Sequence, residues 1–323
     1  MWPLVGGRDA LWLGLYLLTF ALHAVLISFV VAGTGYALVQ AVRGKEDDPT
    51  AARARDLLPF MLGLGITAGV APLLFLQLLY QQRFYTANLL LGPRWGAVVP
   101  ALIVGFYALY VAKASVQVRW RRVALGLGLA CFVFVAWSWT EIDQLMNDDP
   151  AWTRMYAEGD RIYGGAGVAP RLLLWLGAMT TVFATLSAWW AQPDERRRLA
   201  VLAIAGRIVS GGAISLLVAH GGDLGDTHGW LYVLLAAVVV EFVGWLWMWR
   251  APASNALVVI TAAGTAVMIA GVVVREAKRL AAVAPLRVAA VEAAGFPVFA
   301  ITAVIGVVII AWVVRASRGS GRG

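Results

Sequence analysis

The sequence predicts an all-α protein, a polytopic membrane bundle of about nine crossing helices in a single domain spanning 1–323. Three observations carry that prediction. Charged residues make up only 14% of the chain against 61% hydrophobic, and mean hydropathy is +0.78, whereas a soluble domain has about 25% charged residues. The apolar residues fall in runs of roughly 20, the length a bilayer requires. Between the runs lie short segments that hold most of the 26 Lys and Arg. The net charge of +8 therefore reads as topology and attraction to anionic lipid rather than nucleic-acid binding.

The first run, 11–41, contains LYLLTFALHAVLISFVVAGTGYALVQ and places His23 among hydrocarbon. Hydrocarbon offers imidazole no hydrogen-bond partner, so this ring must face a neighbouring helix, a water-filled cavity or a metal. Two readings follow: a histidine bonded to the next helix, or an axial ligand to heme iron. The run has no short apolar core followed by a small-residue cleavage site, so a retained helix is expected.

RGKEDDPTAARARD, 43–56, reads as a solvated loop, and the second run covers 57–80. Runs at 96–115 and 122–142 follow, the latter holding Cys131, the sole cysteine. One cysteine allows neither a disulfide framework nor a CxxCH heme attachment. EIDQLMNDDPAWTRMYAEGDRIYGGAGVAP, 141–170, mixes acids with Trp152, Tyr156 and Tyr163 and reads as an interfacial helix plus loop.

Runs at 171–191, 199–219, 230–249, 255–274 and 296–314 complete the set. The loops after odd-numbered runs carry the larger share of Lys and Arg, which places the N-terminus outside and the C-terminus in the cytoplasm. The basic REAKRL segment and Arg287 oppose that bias, and an outer basic segment suggests a partner. HGGDLGDTHG, 220–229, gathers His220, Asp223, Asp226 and His228 in a turn that is either solvated or metal-binding.

Two charges lie inside runs. Arg207 stands about nine residues, roughly 13 Å, from the start of its run, and Glu241 about as far from the matching end of the next. Consecutive antiparallel helices are usually neighbours, so a buried Arg207–Glu241 ion pair is expected. The sharper reading gives Arg207 a proton-relay or cofactor-propionate role.

The order of these features resembles subunit I of the cytochrome bd quinol oxidases, nine-helix proteins of the bacterial inner membrane. LTFALHAVLISFVVAGTG is similar to that family's first helix, and the match gives His23 the place of a heme b ligand. GITAGVAPLLFLQLLYQQRFY resembles the second helix, with Gln77 where the family has a glutamate near heme. WSWTEIDQLMNDDPAW, with Trp139, Met146 and Pro150, resembles the end of the fourth, RIVSGGAISLLVAHGGD the sixth, and VVREAKRL, with Glu276 and Arg279, the end of the penultimate helix.

Several positions depart from the family. PRLLLWLGAMTTVFATLSAWW lacks the histidine that opens the fifth helix, the quinol-binding loop is reduced to HGGDLGDTHG, and only Met248 stands near the place of the seventh-helix methionine. The resemblance thus implies a membrane subunit of a bacterial respiratory electron-transfer complex holding at most one heme b. Redox membrane subunits or c-type cytochromes would be its partners. Apart from the resemblance, the basic REAKRL segment with Arg275, Glu276 and Arg279 reads as a contact for quinone or a partner, or else for lipid headgroups. The alternatives are a heme-free scaffold subunit of a larger redox complex and a transporter.

Overall fold

The computed structural model describes residues 7–219 and 229–283, together with 301, 304 and 305. The chain divides into two units, Met1–Ala282 and Val283–Gly323, and the helices below belong to the first save for Val283, the last residue of the last helix. Of the run at 296–314 expected as a ninth span only 301, 304 and 305 are described, and Arg287 and all of HGGDLGDTHG but Gly229 lie outside the described residues. Among the described residues all regular structure is helical, and eight helices are long and apolar enough to cross a membrane.

α1 (Gly7–Val42) pairs antiparallel with α2 (Pro49–Leu79). The junction is shorter than the charge of RGKEDDPTAARARD implies, because helix begins at Pro49 instead of 57. Asp48 accepts from the Ala51 amide and Pro49 takes the first helical position, where its missing N–H costs nothing. The charged stretch 49–56 is therefore a helical extension beyond the apolar run. α2 continues through Pro59 and Pro72 without a break.

Two short helices, α3 (Gln81–Leu90) and α4 (Gly92–Gly96), cap this end and lead into α5 (Val98–Ala114), which forms a hairpin with α6 (Val118–Leu145). α7 (Asp149–Glu158) follows. Asp148 caps its start and Gly159, at φ 70°, closes it in the left-handed region that glycine enters without a steric penalty. α8 (Val168–Ala188) and α9 (Pro193–Ala219) form the next hairpin, then come α10 (Trp230–Arg250) and α11 (Ser254–Val283).

α1 is the central helix, packed on α2, α6 and α8. The hydrophobic effect does not drive helices together in lipid, so close backbone approach matters more. Glycines provide it: a Cβ on Gly206 of α9 would sit 2.7 Å from the Gly177 carbonyl of α8, and one on Gly244 of α10 would sit 2.8 Å from Ile260 of α11. Phe183 of α8 fills the centre against Phe29 and Tyr36 of α1, at 5.4 and 5.6 Å between ring centroids. Ser28, Thr34, Ser138 and Thr140 satisfy their hydroxyls on carbonyls four residues back, which makes them cheap to bury. The chain is a multi-pass, all-α membrane protein whose apolar outer faces meet the bilayer.

Candidate functional site

His23 lies half-buried on α1 against a glycine cradle of α2. Its Nδ1 is 2.9 Å from the Gly65 carbonyl oxygen. A carbonyl only accepts, so Nδ1 carries the proton and the lone pair resides on Nε2. One turn on, a Cβ at Gly69 would come within 2.7 Å of the ring, so only glycine admits the imidazole here. Iron-ligating histidines are commonly held by the same donation to a carbonyl. The Nε2 lone pair offers one nitrogen donor, and no group of three or more metal-binding side chains occurs among the described residues.

Gln77 stands about 12 Å further along α2 than Gly69, accepting from the Tyr85 hydroxyl of α3 at 3.4 Å. Arg207 of α9 is paired with Glu241 of α10. The Glu241 carboxylate also abuts Gly264 of α11, where a Cβ would lie 3.2 Å from it. A charge at this depth costs several kcal/mol unless paired, and each of these residues supplies the other's counter-charge. Their packing is thus a three-helix junction of α9, α10 and α11.

Arg275, Glu276 and Arg279 occupy a different setting from the connector the sequence suggested. α11 stays helical to Val283, and the three residues enter one end of the bundle. There they meet Asp143 from the end of α6, which is 1% exposed. Asp143 accepts from Arg171 at the start of α8 (2.7 Å), from Arg275 (3.0 Å) and from Arg279. Glu276, fully buried, accepts from Tyr80 Oη at 2.7 Å, Arg279 Nη1 at 3.1 Å and Tyr16 Oη at 3.3 Å. Burial, and then the neighbouring Glu276 carboxylate, push the Tyr80 phenol well above its ordinary range.

The cluster holds three guanidiniums against two carboxylates, an excess of one positive charge. Arg275 sits between aromatic rings, its Cζ 4.5 Å from the Phe20 centroid and 5.6 Å from that of Trp175. Its Nη2 is used on Asp143, while the buried Nε and Nη1 find no acceptor among the described residues. Nε approaches Glu276 only at 3.5 Å. The neighbouring end helices carry the same chemistry: Arg83 of α3 clasps Asp149 of α7 at 2.9 and 3.3 Å and the Met146 carbonyl at 2.9 Å. Arg94 pairs with Glu141, which also accepts from Trp137 Nε1.

Sequence reasoning missed Asp143, Tyr16, Tyr80 and the role of Arg171. Asp143 offered a signal, an acid within one helical turn of the end of an apolar run. The tyrosines offered none, because an aromatic near a span end normally reads as an interface anchor. No family model, no curated protein and no solved structure matches the chain. The likeness to subunit I of the cytochrome bd quinol oxidases therefore rests on the motifs quoted above.

Proposed function

We propose that the chain is a membrane subunit of a bacterial respiratory electron-transfer complex and that it handles a quinone headgroup beside Arg275, Glu276 and Arg279. The observation that carries this reading is the Arg275 guanidinium, buried between Phe20 and Trp175 with Nε and Nη1 making no hydrogen bond among the described residues. A buried donor without an acceptor costs about 1–3 kcal/mol. A quinone carbonyl is such an acceptor, and its flat ring suits the aromatic faces of Phe20 and Trp175. Oxidation of a quinol releases two protons and two electrons. The electrons would pass to a redox centre of the complex and both protons to water at the end of the bundle, while Glu276, fixed by the Tyr16 and Tyr80 hydroxyls, lies beside the headgroup.

His23 would hold a heme b through Nε2, with Gly65 fixing the ring, and such a group supplies one-electron transfer. The heme-free scaffold reading is favoured by one observation, that the imidazole already serves as a clamp between α1 and α2. A visible spectrum of the purified protein separates the two. A Soret band lost in His23→Ala supports ligation, and a colourless folded preparation leaves the scaffold reading.

The quinone reading is tested by photolabelling with an azido-quinone. Crosslinks are expected on α1, α8 or α11 near Phe20, Trp175 and Arg275, competed by unmodified quinone and reduced in Arg275→Gln. Asp143 keeps Arg171 and Arg279 in that variant, so the end of the bundle remains paired. Labelling spread evenly over lipid-facing residues would overturn the assignment.

A further inference from the structure

We infer that the α5–α6 hairpin carries a binding site for one anionic phospholipid, remote from the Arg275 cluster and independent of the quinone reading. A groove of about 400 Å³ runs between the two helices on the outer face of the bundle. Its floor is Ala108 and Ala124, both buried, and its walls include Tyr107, Val111, Trp120 and Leu127. The groove exists because alanine stands at both floor positions, where a longer side chain would fill it. Such a surface suits an acyl chain.

What the mouth recognises follows from its charge. Val111 and Trp120 flank the loop that joins the helices, so the groove opens at this end. Trp120 is 57% exposed, the position of an interface tryptophan beside a headgroup. Arg119, one turn before Val123 of the groove wall, is exposed and has no ion-pair partner among the described residues. Arg121 reaches back to the Ser115 carbonyl at 2.9 Å, its buried Nε lacks an acceptor, and it repels Arg55 of α2. The acids of the α1–α2 junction act on other cations: Glu46 pairs with Arg122, and Asp56 and Asp47 act on Arg55. A phosphodiester at the mouth would answer both arginines while its acyl chain lay over the two alanines.

The test is native mass spectrometry of the full chain released from mixed vesicles of phosphatidylglycerol and phosphatidylcholine. One phosphatidylglycerol should be retained in preference. Arg119→Gln and Arg121→Gln should each lower that preference about fivefold, as expected for a cation near an anionic surface. Ala124→Leu should reduce retention of both lipids by filling the groove. Arg119 is exposed in the first turn of α6, so its variant keeps the test open even if Ala124→Leu does not fold. Equal retention of the two lipids by the wild type, or a preference that survives both glutamine variants, would overturn the site. Glycerol phosphate that displaces the lipid would also overturn it, since the groove would then contribute nothing.

Discussion

The two ends of this bundle use the same residue types in opposite ways. Where α1 and α8 begin and α2, α6 and α11 finish, Asp143 and Glu276 are desolvated, and each accepts several hydrogen bonds from arginine or tyrosine. Where α1 ends and α2, α6 and α9 begin, the ion pairs sit near water. Arg198–Asp48 and Arg122–Glu46 are both 3.0 Å long, but their arginine side chains are 50% and 41% exposed. Arg275–Asp143 at the buried end is also 3.0 Å, so distance alone does not distinguish the two ends. Burial does, because attraction between charges grows as water is excluded and the cost of leaving one unpaired grows with it.

The sharpest break of that comparison is Asp143→Asn. It neutralises the one carboxylate that Arg171, Arg275 and Arg279 share, and losing one partner of a buried pair costs about 3–5 kcal/mol. Denaturant unfolding in mild detergent should show a loss of that size. A loss below about 1 kcal/mol would put the buried end on the same footing as the exposed one.

Arg207 and Glu241 extend the buried class toward the middle of the membrane. Arg207→Leu alone should cost about 3 kcal/mol by stranding Glu241, and the double variant Arg207→Leu with Glu241→Leu should regain most of it. A double variant as unstable as the single one would mean that the pair holds the three-helix junction by geometry rather than charge balance. Gly69→Ala tests packing without charge. Its methyl group would meet the His23 ring, and overpacking of this kind costs about 1–3 kcal/mol.

Much of the fold was legible because the bilayer enforces long apolar runs, and eight of those runs are spanning helices in the described residues. The ends were less legible. Hydropathy registers where a helix leaves the hydrocarbon, not where its hydrogen bonding stops, so the helical stretches at 49–56 and 275–283 read as loops. The Arg207–Glu241 pairing could be read from matched depth in adjacent runs. The Asp143 cluster could not, since its members come from α1, α2, α6, α8 and α11 and only the fold brings them to one place.

Tyr80 gives the buried end a signature in pH. Its phenol is raised in the folded protein, by burial first and by Glu276 next, so protonation favours the folded state. That contribution is complete below the unfolded value of about 10 and is lost as pH rises through the folded one. Alkaline unfolding of the wild type should therefore steepen above about pH 10, and less so in Tyr80→Phe.

The exposed end supplies the smallest effect and the control for all the others. Arg198→Ala removes a pair whose guanidinium is half in solvent, although its Asp48 partner is 6% exposed. Asp48 does not depend on that arginine alone: it caps α2 through the Ala51 amide and accepts from Tyr36 Oη at 3.2 Å. The carboxylate is thus still satisfied after Arg198 is gone, and the loss should stay within about 1 kcal/mol. Raising salt should shrink even that difference, because ions reach the pair, whereas the Asp143→Asn loss should barely respond. If both losses fell together with salt, water would have to reach Asp143, and burial would no longer separate the two ends.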